Sequence, residues 1–196
     1  MENMKLPTLV ELCKQFNLRN DTHYDEGGTD KEFNHRYCSL FYDKEFTKYR
    51  DQDIRLLEVG VHRGGSLQLW HHYFSKALIY GVDPFDFGPK AKTAHMERVR
   101  INFTDGYDYH VSIALPTFDI VIDDGPHTKE SHEALLKLYI PRLRVGGVLV
   151  IEDIADINWI DDYIKLVPEN CTYEIVDVRE QAEIWDSLLF VVRSGV

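Results

Sequence analysis

The sequence contains no long hydrophobic run, since its longest uninterrupted apolar stretch is LLFVV at residues 188–192. A membrane-spanning helix needs about 20 apolar residues, and the N-terminal stretch MENMKLPTLVELCKQF has an early acid and no apolar secretory segment. Cysteine is also scarce: Cys13, Cys38 and Cys171 are scattered, odd in number and without C-x-x-C spacing. We therefore expect reduced thiols in a cytoplasmic protein, without a disulfide framework or a zinc site.

Positive charge is in short supply, because 22 Lys and Arg residues face 33 Asp and Glu residues, giving a net charge of −11. A nucleic-acid-binding protein normally carries a basic patch, and the densest basic stretch here, GPKAKTAHMERVR at residues 88–100, is short and interrupted. We expect neither a nucleic-acid nor a membrane partner. A local anion site made by backbone N–H groups remains compatible with this charge, and an acidic cluster would favour a hard cation.

The chain has 196 residues and 44% hydrophobic residues, which suits one domain with one core. Apolar periodicity predicts helices at about 5–18, 33–49, 66–77, 130–143 and 157–167, and a loop at 20–31. It predicts strands at 54–61, 78–83, 98–105, 118–124, 147–153, 172–179 and 187–193. Strands that alternate with helices predict a doubly wound, mostly parallel seven-stranded α/β sheet, with an antiparallel pair at its C-terminal edge. Residues 1–50 would form a helical cap on a 51–196 core.

A glycine-rich turn follows the first predicted strand, in the stretch LLEVGVHRGGS at residues 56–66. Gly60 and Gly64 allow a tight turn and a close approach of a ligand to the backbone. The G-x-x-x-G-G spacing matches neither a nicotinamide fingerprint nor a phosphate loop. The turn therefore predicts another ligand, or serves only the packing of helix against strand.

Two acids accompany this turn. Asp83 ends the second predicted strand, where a carboxylate can accept hydrogen bonds from ribose hydroxyls, or can act as a turn residue before Pro84. Glu58 interrupts an apolar strand, and a buried carboxylate requires a partner. That partner is either the ammonium group of a ligand or an arginine or lysine of the protein itself.

Four acids and one histidine follow two later strands. Asp123 and Asp124 end the strand at 118–124, and Glu152 and Asp153 end the strand at 147–153. Neighbouring parallel strands lie about 4.8 Å apart, so carboxylates at their ends can converge on a hard cation such as Mg²⁺. His127 lies in the loop above them and can serve as a general base. The alternatives are helix-capping and loop acids, and a surface histidine.

Four segments, in matching order, resemble a known family. They are GTDKEFNHRY (28–37), LLEVGVHRGGSLQLW (56–70), FDIVIDDGPH (118–127) and VGGVLVIEDI (145–154). The glycine turn and the following YGVDP resemble class I S-adenosylmethionine-dependent methyltransferases. All four segments resemble the macrolide-sugar O-methyltransferases of the mycinamicin and tylosin type. Two of the segments also occur in proteins labelled cephalosporin hydroxylase, so the resemblance leaves the reaction open.

The resemblance implies roles by matching position. Asp124, Glu152 and Asp153 would hold Mg²⁺, and His127, with Asp124 beside it, would be catalytic. The residues implied on the cofactor side are Lys31, His35, Tyr37, Glu58, Gly60, Arg63, Gly64, Ser66, Asp83, Asp105 and Asp123. Pro126 departs from the serine that the family usually has, which alters the loop that carries His127.

The sequence thus predicts an S-adenosylmethionine-dependent and Mg²⁺-dependent O-methyltransferase whose acceptor is a small hydroxylated molecule, such as a sugar or glycoside. Three other interpretations remain open: a methyltransferase for another acceptor class, a metal enzyme of different chemistry on the same scaffold, and a non-catalytic binding module. A nicotinamide dehydrogenase fits poorly, because the glycine spacing differs.

Overall fold

The computed structural model describes residues 6–19, 28–86, 93 and 95–195. Its sheet has seven strands in the order β3-β2-β1-β4-β5-β7-β6. Their bounds are β1 Arg55–Val59, β2 Leu78–Asp83, β3 Val99–Phe103, β4 Phe118–Asp123, β5 Leu143–Ile151, β6 Cys171–Asp177 and β7 Leu188–Ser194. The first five strands pair in parallel, whereas β7 runs antiparallel to both β5 and β6. The expected doubly wound sheet with an antiparallel C-terminal edge pair is confirmed.

The helices are shorter than the periodicity predicts. They are α1 Leu9–Gln15, α2 Asp43–Phe46, α3 Gly65–Tyr73, α4 Tyr109–Ala114, α5 Lys129–Tyr139, α6 Ile160–Ile164 and α7 Arg179–Ala182. The remaining helical segments are a π-helical turn at Cys38–Tyr42 and 3₁₀ turns at Thr47–Tyr49, Ile140–Arg142 and Ile157–Trp159. The helix predicted at 33–49 is therefore a series of short turns that begins at residue 38.

Side-chain caps explain where two helices begin, and hydrophobic periodicity predicted only the second of them. The Asp108 carboxylate accepts hydrogen bonds from the N–H groups of His110 and Val111, and this starts α4, which periodicity did not predict. Thr128 caps α5 in the same way by accepting from the N–H of Ser131. Helix α7 is a second addition, because no helix was predicted between β6 and β7.

Both faces of the sheet are buried, which is why its central strands read as nearly continuous apolar runs. One face packs against α1, the π-helical turn and α3 in a single apolar cluster. The other face packs against α5 and α6. The segment between residues 9 and 49 thus contributes to the same core as the sheet.

Strand ends fix where side chains of the candidate site can point. Strand β4 ends at Asp123 and β5 ends at Ile151, so Asp124, Glu152 and Asp153 lie just beyond the strands. Because the chain is released from the pleat there, these carboxylates can turn toward one point. The strand order reverses at β1, between β2 and β4, and sheets of this kind bind ligands beyond the carboxyl ends of the strands at such a point.

No helix within the described ranges has the length and apolar character needed to span a membrane. The loop predicted at 20–31 lies outside the described residues for positions 20–27. The same holds for positions 88–92 and 94 of the basic stretch.

Candidate active site

A cavity of about 610 Å³ opens at the carboxyl ends of β1, β2 and β4, a volume that suits a small-molecule ligand. Its lining includes the glycine turn, Asp83, Asp105 and Tyr107. Asp124, Gly125 and Pro126, from the loop after β4, complete its far wall. The cavity therefore joins the predicted cofactor side to the predicted catalytic side.

Gly60 and Gly64 are needed in the turn for different structural reasons. Gly60 has φ +91°, and a Cβ added there would lie 1.9 Å from the backbone oxygen of Asp124. Gly60 is therefore required for the close contact between the loops that follow β1 and β4. Gly64 has φ +79° and starts α3, whose first residues, Gly65 and Ser66, line the cavity. The turn serves packing and also presents backbone to the cavity.

Asp83 fixes this turn from the neighbouring strand. Its Oδ2 accepts hydrogen bonds from the N–H groups of Val61 and His62, both at 2.9 Å, and its Oδ1 accepts from the N–H of Phe85 at 2.8 Å. The residue lines the cavity and is 6% exposed. The carboxylate is thus held rigidly, with lone-pair capacity left for a ligand hydroxyl.

Glu58 has partners within the protein. The residue is fully buried and does not belong to the described lining of the cavity. The Ser66 hydroxyl donates to Oε2 at 2.7 Å, Trp70 Nε1 donates to Oε1 at 3.4 Å, and Lys31 Nζ lies 3.5 Å from Oε1. Burial raises the pKa of Glu58 to about 7, although the charge of Lys31 opposes that shift. The second alternative from the sequence, a partner lysine, is therefore the observed one.

Lys31 lies at the centre of the acidic cluster. Its Nζ donates to Asp124 Oδ2 at 2.7 Å and forms a very short contact with Glu152 Oε2, and the side chain is fully buried. Burial acts to lower the pKa of Lys31, but the charges of Asp124, Glu152 and Glu58 outweigh it and raise that pKa well above its usual value. Lys31 is thus a permanent cation within the protein.

The other residues carried over from the first segment also contact the acids. The Tyr37 hydroxyl donates to Asp153 Oδ1 at 2.7 Å. His35 Nδ1 lies 2.8 Å from the Ser187 hydroxyl and 3.3 Å from Asp153 Oδ1. The segment contributes three consecutive residues, Gly28, Thr29 and Asp30, to the described lining of the cavity. The side chains of Lys31, His35 and Tyr37 hold carboxylates in place and are not among the described residues that line the cavity.

His127 approaches two of those carboxylates. Its Nε2 lies 3.4 Å from Asp124 Oδ1 and 3.6 Å from Asp153 Oδ2. His127 and Asp153 both have left-handed backbones, with φ of +52° and +53°, a conformation that is costly for such residues and concentrates at functional sites. Burial acts to lower the pKa of His127, but Asp124, first by direct interaction and then by charge, together with Asp153, raises it to about 9.

The same interactions act in the opposite direction on Asp124. Burial acts to raise its pKa, yet Lys31 and His127 together lower it to about 2. Asp124 is therefore an ionised carboxylate throughout the physiological pH range.

Two groups of described side chains could hold a metal ion such as the expected Mg²⁺. Asp124, His127 and Asp153 each offer one ligand atom, and these atoms lie within 4.8 Å of one another. Asp30, His35 and Asp153 form a second group of this kind. Magnesium is usually held in proteins by one or two carboxylates together with water and substrate oxygens, so Asp124 and Asp153 fit it. Glu152 belongs to neither group among the described residues.

The buried Asp123 pairs with Tyr107, which is half-buried and lines the cavity. The Tyr107 hydroxyl donates to Asp123 Oδ1 at 2.5 Å, and burial raises the pKa of Asp123 to about 7. Tyr107 lines the cavity, whereas Asp123 lies behind it and is fully buried. Asp105 lines the cavity as expected, and its Oδ1 accepts from the N–H of Tyr107. Arg63 lies within the glycine turn and is half-buried. It is not among the described residues that line the cavity.

The sequence analysis did not identify two tyrosines that donate hydrogen bonds to the strand-end acids. Tyr107 follows Asp105 by two positions, so its place beside a strand end was a usable signal. Tyr42 is fully buried and donates from its hydroxyl to Glu152 Oε1. It is followed directly by Asp43, but it lies 110 positions from Glu152, so only the fold shows this contact.

The family comparison agrees with this geometry. A family model described as a methyltransferase domain matches residues 57–154, which is half of the chain. That span contains the glycine turn, Asp83, Asp124, His127 and Asp153. The chain belongs to this methyltransferase-domain family.

The relatives are O-methyltransferases by name. Demethylmacrocin O-methyltransferase of Streptomyces fradiae is 35% identical over 131 residues, covering 60% of this chain and 32% of the relative. Mycinamicin VI 2''-O-methyltransferase of Micromonospora griseorubida is 32% identical over 144 residues, covering 67% and 35%. The resemblance to macrolide-sugar O-methyltransferases is confirmed. The chain spans about a third of the length of these relatives.

Among solved structures, the MycE methyltransferase from the mycinamycin biosynthetic pathway, in complex with Mg and SAH, is similar over 97% of this chain and 55% of that chain. The TM-score is 0.71 and the sequence identity is 26%. Nearly the whole of the present chain thus has its counterpart within about half of a longer enzyme.

Proposed function

We propose that this protein is an S-adenosylmethionine-dependent and Mg²⁺-dependent O-methyltransferase that acts on a sugar or another small hydroxylated molecule. One observation carries the proposal: the cavity between the glycine turn and Asp83 is bounded on its far side by Asp124, next to His127 and Asp153. A methyl donor and an acceptor hydroxyl could therefore lie side by side. Holding two reactants in this way supplies much of the catalysis in a displacement reaction.

The cofactor would occupy the cavity. Asp83 would accept hydrogen bonds from the ribose hydroxyls, because its carboxylate is fixed by three backbone donors and lines the cavity. Gly65 and Ser66, at the start of α3, would present backbone N–H groups to the carboxylate of the methionine part. Asp105 and Tyr107 would border the adenine.

The acceptor side would use the acidic cluster. Asp124 and Asp153 would hold Mg²⁺, which when bound orients the acceptor hydroxyl and lowers its pKa. His127 would take the proton from that hydroxyl. This role requires the charges of Asp124 and Asp153 to be offset, as ligation of a cation does, because only a neutral imidazole accepts a proton.

The acceptor class rests on the named relatives. Two relatives are named for glycosylated acceptors, 8-demethyl-8-alpha-L-rhamnosyl tetracenomycin-C and L-olivosyl-oleandolide, and one MycE structure includes mycinamycin VI. We propose that the acceptor is a vicinal diol on a glycoside smaller than a macrolide. We also propose that residues 1–50 form a helical cap on a single methyltransferase domain. We also propose a cytoplasmic location, consistent with three free cysteines.

The test is a methyl-transfer assay that follows formation of S-adenosylhomocysteine on a panel of glycosides with vicinal diols. We expect turnover with Mg²⁺, loss of turnover in EDTA, and a decrease of about 10²–10⁴-fold in His127→Ala. His110→Ala, which alters an exposed histidine on α4, is the matched control and retains turnover. Binding of S-adenosylmethionine without turnover on any acceptor would instead identify a non-catalytic binding module.

A further inference from the structure

A second cavity, of about 500 Å³, lies at the connection between β6 and β7. Its described lining consists of Asp177, Arg179, Glu180, Gln181 and Trp185. None of these five residues lines the larger cavity beside the glycine turn. The volume suits a small molecule or a part of one, and the cofactor and the metal leave this cavity without a role.

The second cavity lies at the same edge of the sheet as the strand-end acids. Strand β6 runs parallel to β5, because both strands are antiparallel to β7, so both end at this edge. Only β7 lies between them, and neighbouring strands are about 4.8 Å apart, so the ends of β5 and β6 are roughly 10 Å apart. Two linked sugar rings span about this distance. An acceptor whose hydroxyl lies at Asp153 can therefore extend to the second cavity.

Hydrogen bonds join this connection to the segment that holds the acids. The His35 ring, which approaches Asp153 at 3.3 Å, lies 2.8 Å from the Ser187 hydroxyl. The Arg36 guanidinium donates to the backbone oxygen of Gln181 at 3.1 Å. The second cavity is therefore held in a fixed position relative to Asp153.

Trp185 gives the second cavity an exposed aromatic face. The residue is 67% exposed, and it follows Glu183, whose left-handed φ of +59° is a costly conformation that concentrates at functional sites. Single exposed apolar residues are common on protein surfaces, but this indole borders a cavity whose other described lining is polar. The face of an aromatic ring is electronegative, so it attracts the C–H groups that a sugar ring presents on one of its faces.

The polar side chains of the second cavity suit hydroxyl groups, which both donate and accept hydrogen bonds. Arg179 donates to both oxygens of Asp177, from Nε at 2.9 Å and from Nη2 at 2.6 Å, which fixes the pair and leaves other N–H donors. Glu180 and Gln181 are exposed, and neither side chain has a hydrogen-bond partner within the described part of the chain. Charges of both signs beside an aromatic face favour a neutral, hydroxyl-rich ring over an ion.

We propose that the second cavity is a sugar-binding subsite of the acceptor, in which Trp185 stacks on the ring next to the one that is methylated. The acceptor is then a diglycoside or a longer glycoside. This assignment rests on the proposed function for the methylated hydroxyl, whereas binding of a sugar ring at Trp185 requires no turnover.

Methyl-transfer kinetics on matched acceptors test the subsite. The probes are methyl α-L-rhamnopyranoside and a panel of methyl diglycosides in which rhamnose, glucose or galactose is linked to rhamnose. We expect Trp185→Ala to raise KM for the best diglycoside about tenfold with kcat nearly unchanged, because a stacking contact is lost in the ground state and the transition state alike. KM for the monoglycoside stays the same, and Trp185→Phe, which keeps a ring, recovers most of the loss.

Tyr109→Ala is the matched control, because it removes an aromatic residue that is 61% exposed on α4 and should leave both KM values unchanged. Calorimetric titration with the same diglycosides measures binding without turnover, and titration with S-adenosylhomocysteine reports that each variant is folded. Diglycoside binding that Trp185→Ala weakens, in a wild type that transfers no methyl group, would support the subsite and overturn the proposed function.

Three results would overturn the subsite. The first is methyl transfer to a diglycoside with the same KM in the wild type and Trp185→Ala, which leaves the proposed function standing. The second is a wild type that binds none of the diglycosides. The third is a change in the molar mass of the protein in solution on Trp185→Ala without a change in KM, which would place Trp185 in a contact between two copies of the chain.

Discussion

The acids at the two ends of the central strands differ in the number of cationic side chains beside them. At the amino end of β4, Asp119 accepts from the N–H of Arg55 at 2.7 Å and from the Arg144 guanidinium at 3.0 Å, one acid for one cation. At the carboxyl ends, Lys31 is the one lysine within 4 Å of Glu58, Asp124 and Glu152 among the described residues. Asp153 lies beside them, and its basic neighbours within the described part of the chain are His127 and His35.

This difference separates acids that serve the fold from acids that serve a site. A matched pair at a half-exposed position contributes modestly to stability and needs no ligand. A buried excess of negative charge is costly unless a cation offsets it, so it persists where a cation is to be bound. This contrast supports the proposal that the carboxyl end is the functional end of this sheet.

The largest expected difference in the free energy of unfolding is between glycine substitutions at the two ends of the sheet. Gly60 and Gly146 both have positive φ, but an added Cβ meets the Asp124 carbonyl at Gly60 and nothing within 4 Å at Gly146. We expect Gly60→Ala to lower the free energy of unfolding by about 2–5 kcal/mol, from backbone strain and overpacking together. Gly146→Ala should cost about 1 kcal/mol. Urea denaturation measures both, and equal losses would mean that the close loop contact is unimportant.

Acid sensitivity should depend on a buried histidine behind the site. His132 is fully buried with Nδ1 2.8 Å from the Tyr163 hydroxyl, and burial, aided by the charge of His127, lowers its pKa to about 3. The unfolded chain binds a proton at His132 below about pH 6.5 and the folded protein does not, so this group costs stability as the pH falls from 6.5 toward 3.

We expect the wild type to lose about 2–3 kcal/mol more than His132→Gln between pH 7 and pH 4.5, measured by urea denaturation at both values. The carboxylates are common to both proteins, so the difference isolates His132. His110→Gln, at an exposed position, should follow the wild type. Parallel pH curves for the wild type and His132→Gln would contradict a neutral buried imidazole.

A smaller contrast is expected between two tyrosine hydroxyls. Tyr107 donates to the buried carboxylate of Asp123, and Tyr49 donates to the backbone oxygen of Gly146 at 2.6 Å. Removing a donor from a buried carboxylate costs more than removing one from a neutral carbonyl. We expect Tyr107→Phe to lose about 1–3 kcal/mol and Tyr49→Phe about 1 kcal/mol in the free energy of unfolding. The reverse order would show that Asp123 does not depend on Tyr107.

The strands were largely predictable from the sequence, whereas the contacts of the acids were not. Apolar runs located the central strands, because strands buried on both faces consist mainly of apolar residues. The edge strands β3 and β6 are half-buried or exposed along their length, and their apolar patterns are weaker. Helix α4 was missed because its beginning depends on the Asp108 cap and its buried face is small. Lys31 lies 121 positions from Glu152, and a pairing at that separation leaves no local signal. Position along the chain therefore identified the strand-end acids, and only the fold showed which oxygens remain available.

The most direct test of a functional carboxyl end is calorimetric titration with S-adenosylhomocysteine. We expect the wild type to bind one equivalent and Asp83→Asn to bind at least tenfold more weakly. Asp119→Asn, which changes the matched acid at the other end of the sheet, should bind like the wild type. Absence of binding by the wild type, or equal weakening in both variants, would contradict the account.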